Sequence, residues 1–261
     1  MAILTAIYSK EGIFMEPIYR ASYTILSTDC DPYNRIKPSA LLSLMQEIAG
    51  QHCEGTPLGW QALAEKGMFF AVTRQHIQIT RLPLHGETVT LETWPGPTSR
   101  VAFPRNTIAY DEKGNELFRA MSLWVLMDMN TRAMVLPGKC GISVPGLIRG
   151  NELAVPGSLA PRNLEAAAQR RVVYTELDCN GHMNNCRYMD WVLDLMPSEF
   201  HREHPLTDFT ITYLSEAKED ETVDLHYELN PEGQFQVEAT TADPEDAEKS
   251  HRVFAVRATF L

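Results

Sequence analysis

The sequence lacks the features of a secreted or membrane protein. No apolar run approaches the roughly 18 residues of a membrane-spanning helix, and the most apolar segment, residues 121–127, has only the length of a strand. Lys10 and Glu11 interrupt the first residues early, so we expect no signal peptide. The five cysteines are odd in number and lack a CxxC pair. They predict reduced thiols in a cytoplasmic protein, not a disulfide framework or a zinc site.

Positive charge is also scarce. The 261 residues contain 23 Lys and Arg against 34 Asp and Glu, which gives a formal net charge of −11. This balance disfavours a nucleic-acid-binding protein, which needs a basic surface, but it leaves room for a local basic patch. The length fits one large domain or two of roughly 100–150 residues each.

An internal repeat favours two related units. Asp31 aligns with Asp178 and Arg35 with His182 at a spacing of 178 − 31 = 147 residues. The segments that begin at Ile77 and Ile211 align at a spacing of 134 and share a (Gly/Asp)-Glu-Thr-Val step. A third, looser match joins ELFRAMSLWV to SHRVFAVRATFL further on. Three matches in the same order indicate a duplication.

Each unit is predicted to contain one strand, one helix and four more strands. Apolar residues at Leu41, Leu44, Met45 and Ile48 predict a helix over residues 38–50, and a second helix is predicted over 184–195. The strands predicted from alternation are 18–27, 69–80, 87–94, 101–110 and 116–129, then 170–176, 206–215, 221–230, 234–241 and 251–261.

The predicted units are joined by a segment of irregular structure. Residues 136–163 carry five Gly and four Pro in 28 residues, which is typical of a linker that crosses the surface. We therefore predict a first unit at residues 1–135, a linker at 136–163 and a second unit at 164–261.

A polar motif precedes the second predicted helix. It reads DCNGHMNN and places Asp178, Asn180 and His182 at alternate residues. In an extended segment, alternation would direct the three side chains to one side. Asn184 or Asn185 is a good N-cap, so the site would lie beside N–H groups that can stabilise a developing oxyanion. The structural alternative is a turn and capping cluster without chemistry.

The pattern DxNxHxNNxxYxxW closely resembles the signature of the acyl-acyl-carrier-protein (acyl-ACP) thioesterases, which end fatty-acid synthesis in plants and many bacteria. The resemblance covers nearly the whole chain from about Ile18. It implies an α+β fold of two tandem hotdog units, each a long helix wrapped by an antiparallel sheet, paired as a pseudo-dimer with one continuous sheet. The absence of a plastid transit peptide leads us to expect a bacterial-type member.

The resemblance implies catalytic roles for Asp178, Asn180, His182 and Glu216, without a metal or organic cofactor. The implied reaction is hydrolysis of a fatty acyl-ACP to a free fatty acid and the carrier thiol. The family commonly has Cys after its strand-end Glu, but this chain has Ala217, so we favour water as the nucleophile over a thiol. Either Glu216 or His182 would be the base. Asn180 would position the carbonyl or the water, and Asp178 would orient the His or the motif backbone.

The first copy of the motif has lost the reactive side chains, since Tyr33 and Arg35 stand where the second copy has Asn180 and His182. We therefore expect one site per chain, with the first unit shaping the acyl pocket. Two alternatives stay open: an acyl-CoA thioesterase of the same fold, and a non-catalytic acyl-binding hotdog protein.

The expected partners are a fatty acyl chain and its acyl-carrier protein. Acyl-carrier proteins are acidic, so docking against a chain of net charge −11 needs local positive charge. Candidate residues near the linker and the start of the second unit are Arg149, Arg162, Arg170, Arg171 and Arg187. We expect no nucleic acid and no membrane span, and the oligomeric state (monomeric pseudo-dimer or homodimer) stays open.

Overall fold

The computed structural model describes residues 7–8, 14–164, 166–242 and 249–261. The strands of these residues are β1 (Ile7–Tyr8), β2 (Phe14–Met15), β3 (Tyr19–Thr24), β4 (Met68–Ile79), β5 (Thr88–Pro95), β6 (Phe103–Tyr110), β7 (Glu116–Asp128), β8 (Met134–Val135), β9 (Ala166–Arg171), β10 (Leu206–Tyr213), β11 (Thr222–Leu229), β12 (Gln234–Ala242) and β13 (Ser250–Phe260). The α-helices are α1 (Pro38–Cys53), α2 (Trp60–Ala64), α3 (Pro137–Cys140), α4 (Tyr188–Leu193) and α5 (Ser198–Glu203).

The main sheet is symmetric about its middle. It has 11 strands in the order β3-β5-β6-β7-β4-β10-β13-β12-β11-β9, with β8 paired to β7. From each outer edge inwards, the main strands of a unit follow the same order: first, third, fourth, fifth, second. β4 and β10 pair antiparallel at the centre, with Ile77 opposite Phe209, so each unit covers the other's free edge. This confirms the predicted pair of tandem hotdog units with one continuous sheet.

One apolar core joins the two units on the helical side of the sheet. It contains Leu41 of α1, Ile77 of β4, Met189 of α4 and Phe209 of β10. Because these side chains come from both units and are buried together, the packing energy that holds α1 in place also holds the second unit against the first.

Helix α1 is longer than predicted. It begins at Pro38 as expected but continues past Gly50 to Cys53. Glycine weakens a helix by about 1 kcal/mol relative to alanine. Here, however, His52 and Cys53 in the last turn are buried against the sheet, and this packing outweighs the local preference.

The second unit begins with less regular structure than predicted. The strand expected at 170–176 is β9, which ends at Arg171, and residues 174–176 form a 3-10 turn instead. Glu176 stabilises that turn by accepting bonds from the Val173 N–H at 3.1 Å and the Trp191 ring N–H at 2.7 Å. The helix expected at 184–195 is a 3-10 turn at Asn185–Arg187 followed by the short α4.

Equivalent hydrogen bonds confirm the internal repeat. The Asp31 Oδ1 accepts the N–H groups two and four residues further on, at 2.8 and 3.0 Å. The Asp178 Oδ1 accepts the corresponding groups at 2.8 and 3.3 Å. In the loop at the second spacing of 134 residues, Glu87 bonds the Leu84 N–H and Glu221 bonds the Lys218 N–H. The two units thus share backbone detail as well as strand order.

Residues 136–163, the predicted linker, are irregular apart from the single turn of α3. Side chains of the sheet hold this segment: Arg74 donates to the carbonyl of Pro156 at 3.2 Å, and Arg252 donates to that of Leu159 at 3.0 Å. Across the part of the chain that the structure describes, no helix has both the length and the apolarity to cross a membrane. The five cysteines are free thiols.

Candidate active site

His182 and Glu216 meet at the centre of the candidate site. The Nε2 atom of His182 lies 3.4 Å from Oε2 of Glu216. His182 ends the motif turn before α4, and Glu216 lies in the loop after β10. A β-bridge between His182 and Lys218 and a 2.8 Å bond from the Met183 N–H to the Ala217 carbonyl hold the two segments together. These two candidate residues, 34 positions apart by subtraction, are therefore neighbours in the fold.

Arg132 completes this cluster, and the sequence analysis missed it. Its Nη2 donates to Oε1 of Glu216 and, at 3.3 Å, to Nδ1 of His182. Arg132 belongs to the first unit, in the turn between β7 and β8, where it adopts a left-handed φ of 56°. Asp128 shapes the turn by accepting the N–H three residues further on at 2.8 Å. The guanidinium lies 4.7 Å from the centroid of the Phe69 ring, which fixes its direction.

These contacts assign the protonation state of the pair. A guanidinium has only donors, so Nδ1 of His182 must accept the bond from Arg132. The proton of the neutral imidazole then resides on Nε2, the atom that faces Glu216. Glu216 accepts the bond from Arg132. Its side chain is 45% exposed, so its carboxylate still has lone pairs open to water.

Asp178 and Asn180 lie in a tight turn, which corrects the expected extended segment with three side chains on one side. The Gly181 N–H bonds to the Asp178 carbonyl at 3.1 Å, and the Asp178 N–H bonds to the His182 carbonyl at 2.8 Å. Aspartate favours such turns because its carboxylate accepts N–H groups just downstream. Gly181, at a φ of 76°, supplies the left-handed residue that the turn requires.

The carboxylate of Asp178 orients the motif backbone. It accepts the N–H groups of Asn180 and His182, and its Oδ2 accepts the Asn180 Nδ2 at 3.2 Å. Within the described residues, no hydrogen bond joins the Asn180 side chain to the His182 ring or to Glu216. The structure therefore brings His182 and Glu216 together and places Asp178 and Asn180 in the turn that carries His182.

The helix start beside the motif offers fewer open N–H groups than expected. Asn184 is the N-cap, as predicted, and its Oδ1 accepts the Cys186 N–H at 2.9 Å. Its carbonyl accepts the Arg187 N–H at 2.9 Å. Among the described residues the N–H of Asn185 has no partner, so it is the donor at this turn that a ligand oxygen could use.

A cavity of about 240 Å³ lies in the first unit, between α1 and α2 and the strands β4 to β7. Its walls are mostly apolar, and they include Leu58, Leu63, Phe70, Phe103, Trp124 and Val144. Gln46 lines the cavity and also lies 3.9 Å, Oε1 to Sγ, from Cys186 just after the motif. The Gln46 end of the cavity is therefore the end next to the candidate site.

The structure disfavours a cysteine as the nucleophile at this site. Ala217 is completely buried where the resembling family commonly has Cys. Burial raises the pKa of the Cys186 thiol to about 11, so it stays protonated and a poor nucleophile near neutral pH.

Comparison with known proteins identifies relatives of this chain. Residues 16–136 match the model of the acyl-ACP thioesterase N-terminal domain, and residues 161–256 match that of the C-terminal domain. A dodecanoyl-[acyl-carrier-protein] hydrolase of Cinnamomum camphora is 25% identical over 78% of this chain and 57% of its own length. A palmitoyl-acyl carrier protein thioesterase of Gossypium hirsutum is 26% identical over 78% of this chain and 53% of its own length. The chain thus spans a little over half the length of these curated relatives.

Two solved structures share the fold. An acyl-ACP thioesterase from Bacteroides thetaiotaomicron superposes with a TM-score of 0.84 at 22% identity, covering 94% of this chain and 98% of its own. A 12:0-ACP thioesterase from Umbellularia californica superposes with a TM-score of 0.72 at 22% identity, covering 94% and 97%. The tandem hotdog architecture is therefore common to all three chains.

Proposed function

The chain belongs to the acyl-ACP thioesterase family, and on that premise we propose that it hydrolyses the thioester of a fatty acyl-ACP. The products are a free fatty acid and the carrier thiol. The observation that carries the proposal is the His182–Glu216 contact, together with an apolar cavity whose Gln46 end meets Cys186 just after the motif. Thioester hydrolysis needs a base for water and an apolar enclosure for the acyl chain.

Glu216 is the base in this proposal. The bond from Arg132 leaves His182 with its proton on Nε2, so the imidazole is a donor towards Glu216. Glu216 takes a proton from water as the water oxygen attacks the thioester carbon. The Asn185 N–H can bond the resulting oxyanion. When the C–S bond breaks, the leaving sulfur takes the proton from Glu216, which returns the carboxylate to its starting state.

Asp178 and Asn180 support this chemistry in different ways. Asp178 is a positioning residue, because its carboxylate holds the backbone on which His182 sits. Asn180, exposed on the same turn, positions the thioester carbonyl or the water. Both roles rest on the family resemblance and on the turn geometry.

Each chain has one such site in this proposal. In the first unit, Arg35 occupies the position of His182, and its Nε and Nη2 bond Asp31 and the His201 carbonyl, both at 2.9 Å. The position of Glu216 is taken by Leu82, since 216 − 134 = 82. No base is left there. The first unit (residues 1–135) instead holds the acyl chain in its cavity, and the second unit (164–261) carries the reacting groups. The cytoplasmic location stays a prediction.

Release of free thiol from purified acyl-ACP, followed with a thiol reagent, tests the activity. We expect turnover with acyl-ACP substrates of varied chain length and a lower kcat/KM with the matching acyl-CoA. Equal or better turnover of acyl-CoA would favour the acyl-CoA thioesterase alternative. Binding of acyl groups without thiol release would favour the non-catalytic alternative.

The arginines suggested for carrier docking are mostly engaged within the chain. Four of the five form ion pairs with its own carboxylates: Arg149 with Glu92, Arg170 with Asp194, Arg171 with Asp220 and Arg187 with Asp190. Paired charges contribute less to the field that attracts an acidic partner. These arginines therefore offer an acidic carrier protein less unpaired positive charge than the sequence alone suggests.

Arg132→Ala is expected to lower kcat by about 100-fold and to leave KM within a factor of about 2, because a misplaced base costs rate and not acyl binding. Added methylguanidinium should restore part of kcat, since the Arg132 side chain is 34% exposed and its site is open to small ions. Steady-state kinetics with and without the additive measure both effects.

Arg119→Ala is the matched control for this variant. Arg119 pairs with Glu116 elsewhere on β7, so kcat should stay at the wild-type value and should not respond to methylguanidinium. If Arg132→Ala kept the wild-type kcat, Arg132 would have no role in catalysis.

A further inference from the structure

A buried arginine lines the acyl cavity away from the reacting groups. Arg105 of β6 is 8% exposed and forms part of the cavity wall beside Cys53 of α1. Cavities that enclose alkyl chains are lined by apolar groups, and a few well-placed polar groups in them select the ligand. Arg105 is such a group.

The hydrogen-bond partners of Arg105 are all uncharged. Nη1 donates to Nδ1 of His52 at 3.0 Å and to Oγ1 of Thr93 at 3.3 Å, and Nη2 donates to Sγ of Cys53 at 3.3 Å. Within the described ranges 14–164, 166–242 and 249–261, no carboxylate lies within ion-pair distance of its guanidinium. Among the described residues, the positive charge is thus buried without an ion-pair partner, and the exposed Glu54 is the carboxylate that shares the cavity wall with it.

His52 stays neutral beside Arg105 and cannot offset this charge. Burial and the neighbouring guanidinium lower the pKa of His52 to about 4. Its Nδ1 accepts the Arg105 bond, so its proton lies on Nε2, 2.7 Å from the Glu16 carbonyl. The neutral ring therefore accepts one N–H of Arg105 and adds no charge beside it.

Two N–H groups of Arg105 have no hydrogen-bond partner among the described residues. A guanidinium has five N–H donors, and the three bonds above use three of them, which leaves Nε and one hydrogen of Nη2. A buried charge without a partner is costly, and the carbonyl end of α1 compensates only partial charge. A methyl terminus in contact with this group would satisfy neither donor, whereas an oxygen acceptor would satisfy both.

The position of Arg105 defines where along the acyl chain this oxygen would lie. Gln46, at the end near the motif, and Cys53, beside Arg105, are seven residues apart on α1. At 1.5 Å per residue this separation is about 10 Å, which matches a medium-length acyl chain.

We propose that Arg105 makes the far end of the cavity a subsite for an oxygen acceptor, so that the preferred acyl groups are medium-length chains with an oxygen at or near their distal end. The proposal rests on the proposed thioesterase function for the nature of the ligand. The remaining donors of Arg105 bind a hydroxyl or a carboxylate there, and Arg105 is then a specificity-determining residue.

Binding of free acids tests the subsite without relying on catalysis. Octanoate, ω-hydroxyoctanoate and octanedioate have the same number of carbon atoms and differ only at the distal end. Isothermal titration of the full chain should give at least about tenfold tighter binding for one or both oxygen-bearing acids than for octanoate. Octanoate binding as tightly as both, with an affinity that Arg105→Met does not lower, would overturn the proposal, because a carboxylate bound to Arg105 in the reverse direction would be lost in that variant. If ω-hydroxyoctanoate binds more tightly than octanedioate, the preferred acceptor is a neutral oxygen. If octanedioate binds more tightly, the preferred acceptor is a carboxylate.

Variants assign the preference to Arg105. Arg105→Met should bring the affinity ratio to about one, Arg105→Lys should keep part of it, and the surface control Arg119→Met should leave it unchanged. An unchanged ratio in Arg105→Met would show that another group recognises the oxygen. Because affinity ratios within one protein cancel any inactive fraction, partial unfolding of Arg105→Met does not obscure the result.

Thiol release from the corresponding acyl-ACP thioesters then separates the two proposals. A wild-type chain that binds the oxygen-bearing acids more tightly but releases no thiol would refute the proposed hydrolysis and support the subsite. A chain that hydrolyses all three thioesters at the same kcat/KM would support the hydrolysis and refute the subsite.

Discussion

His182→Ala is expected to abolish hydrolysis, with kcat lowered by about 1,000-fold or more. The imidazole accepts a bond from Arg132 and its Nε2 lies 3.4 Å from Oε2 of Glu216, so its removal takes away the group that faces this carboxylate. Thiol release from acyl-ACP under single-turnover conditions measures the chemical step directly. The acyl cavity does not include His182, so fatty-acid affinity should stay near the wild-type value.

His85→Ala is the control for this substitution. His85 is an exposed histidine of the first unit, in the loop that corresponds to the Glu216 loop at the spacing of 134 residues, and its removal should leave kcat unchanged. A His182→Ala chain that retained the wild-type rate would remove the motif from the catalytic site, and the proposed function would need other residues.

Glu216→Gln is expected to lower kcat by about 100- to 10,000-fold. The amide is nearly isosteric and can still accept the bond from Arg132, but it cannot take a proton from water. Because the geometry is kept while the base is lost, the loss should appear in kcat and leave KM close to the wild-type value. A series of acyl-ACP concentrations, followed by thiol release, separates the two constants.

Glu219→Gln makes the same chemical change three residues away in the same exposed loop. We expect wild-type kinetics from it. If Glu216→Gln were as active as Glu219→Gln, the base would have to be another group, with His182 the next candidate.

The fold was largely predictable because its determinants are local or repeated. The apolar spacing from Leu41 to Ile48 predicted α1, and the matches at spacings of 147 and 134 residues predicted two units with the same order of elements along the chain. The hotdog arrangement of those elements came from the family resemblance. The ends of elements were less predictable. The buried contacts of Cys53 extend α1, and the bonds of Glu176 convert the end of a predicted strand into a 3-10 turn.

Only those residues of the candidate site that belong to the second unit were predictable from the sequence. The motif pattern singled out His182, and the family resemblance added Glu216. Arg132 carries no such signal, since it is one of 23 basic residues and its role depends on β4 and β10 pairing at the centre of the sheet. The turn around Asp178 was misjudged because alternation alone does not distinguish an extended segment from an aspartate-stabilised turn.

The pairing of both units within one polypeptide has a consequence for how the site assembles. Arg132 and His182 come from different units but share one backbone, so their encounter is intramolecular and its effective concentration is set by the connecting segment. Dilution cannot separate them, unlike the two halves of a site shared by separate subunits. Because the two units are separate segments of one chain, each can accumulate its own substitutions. The subunits of a dimer of identical chains must change together. The two equivalent turns have in fact diverged, since one carries Arg35 where the other carries His182.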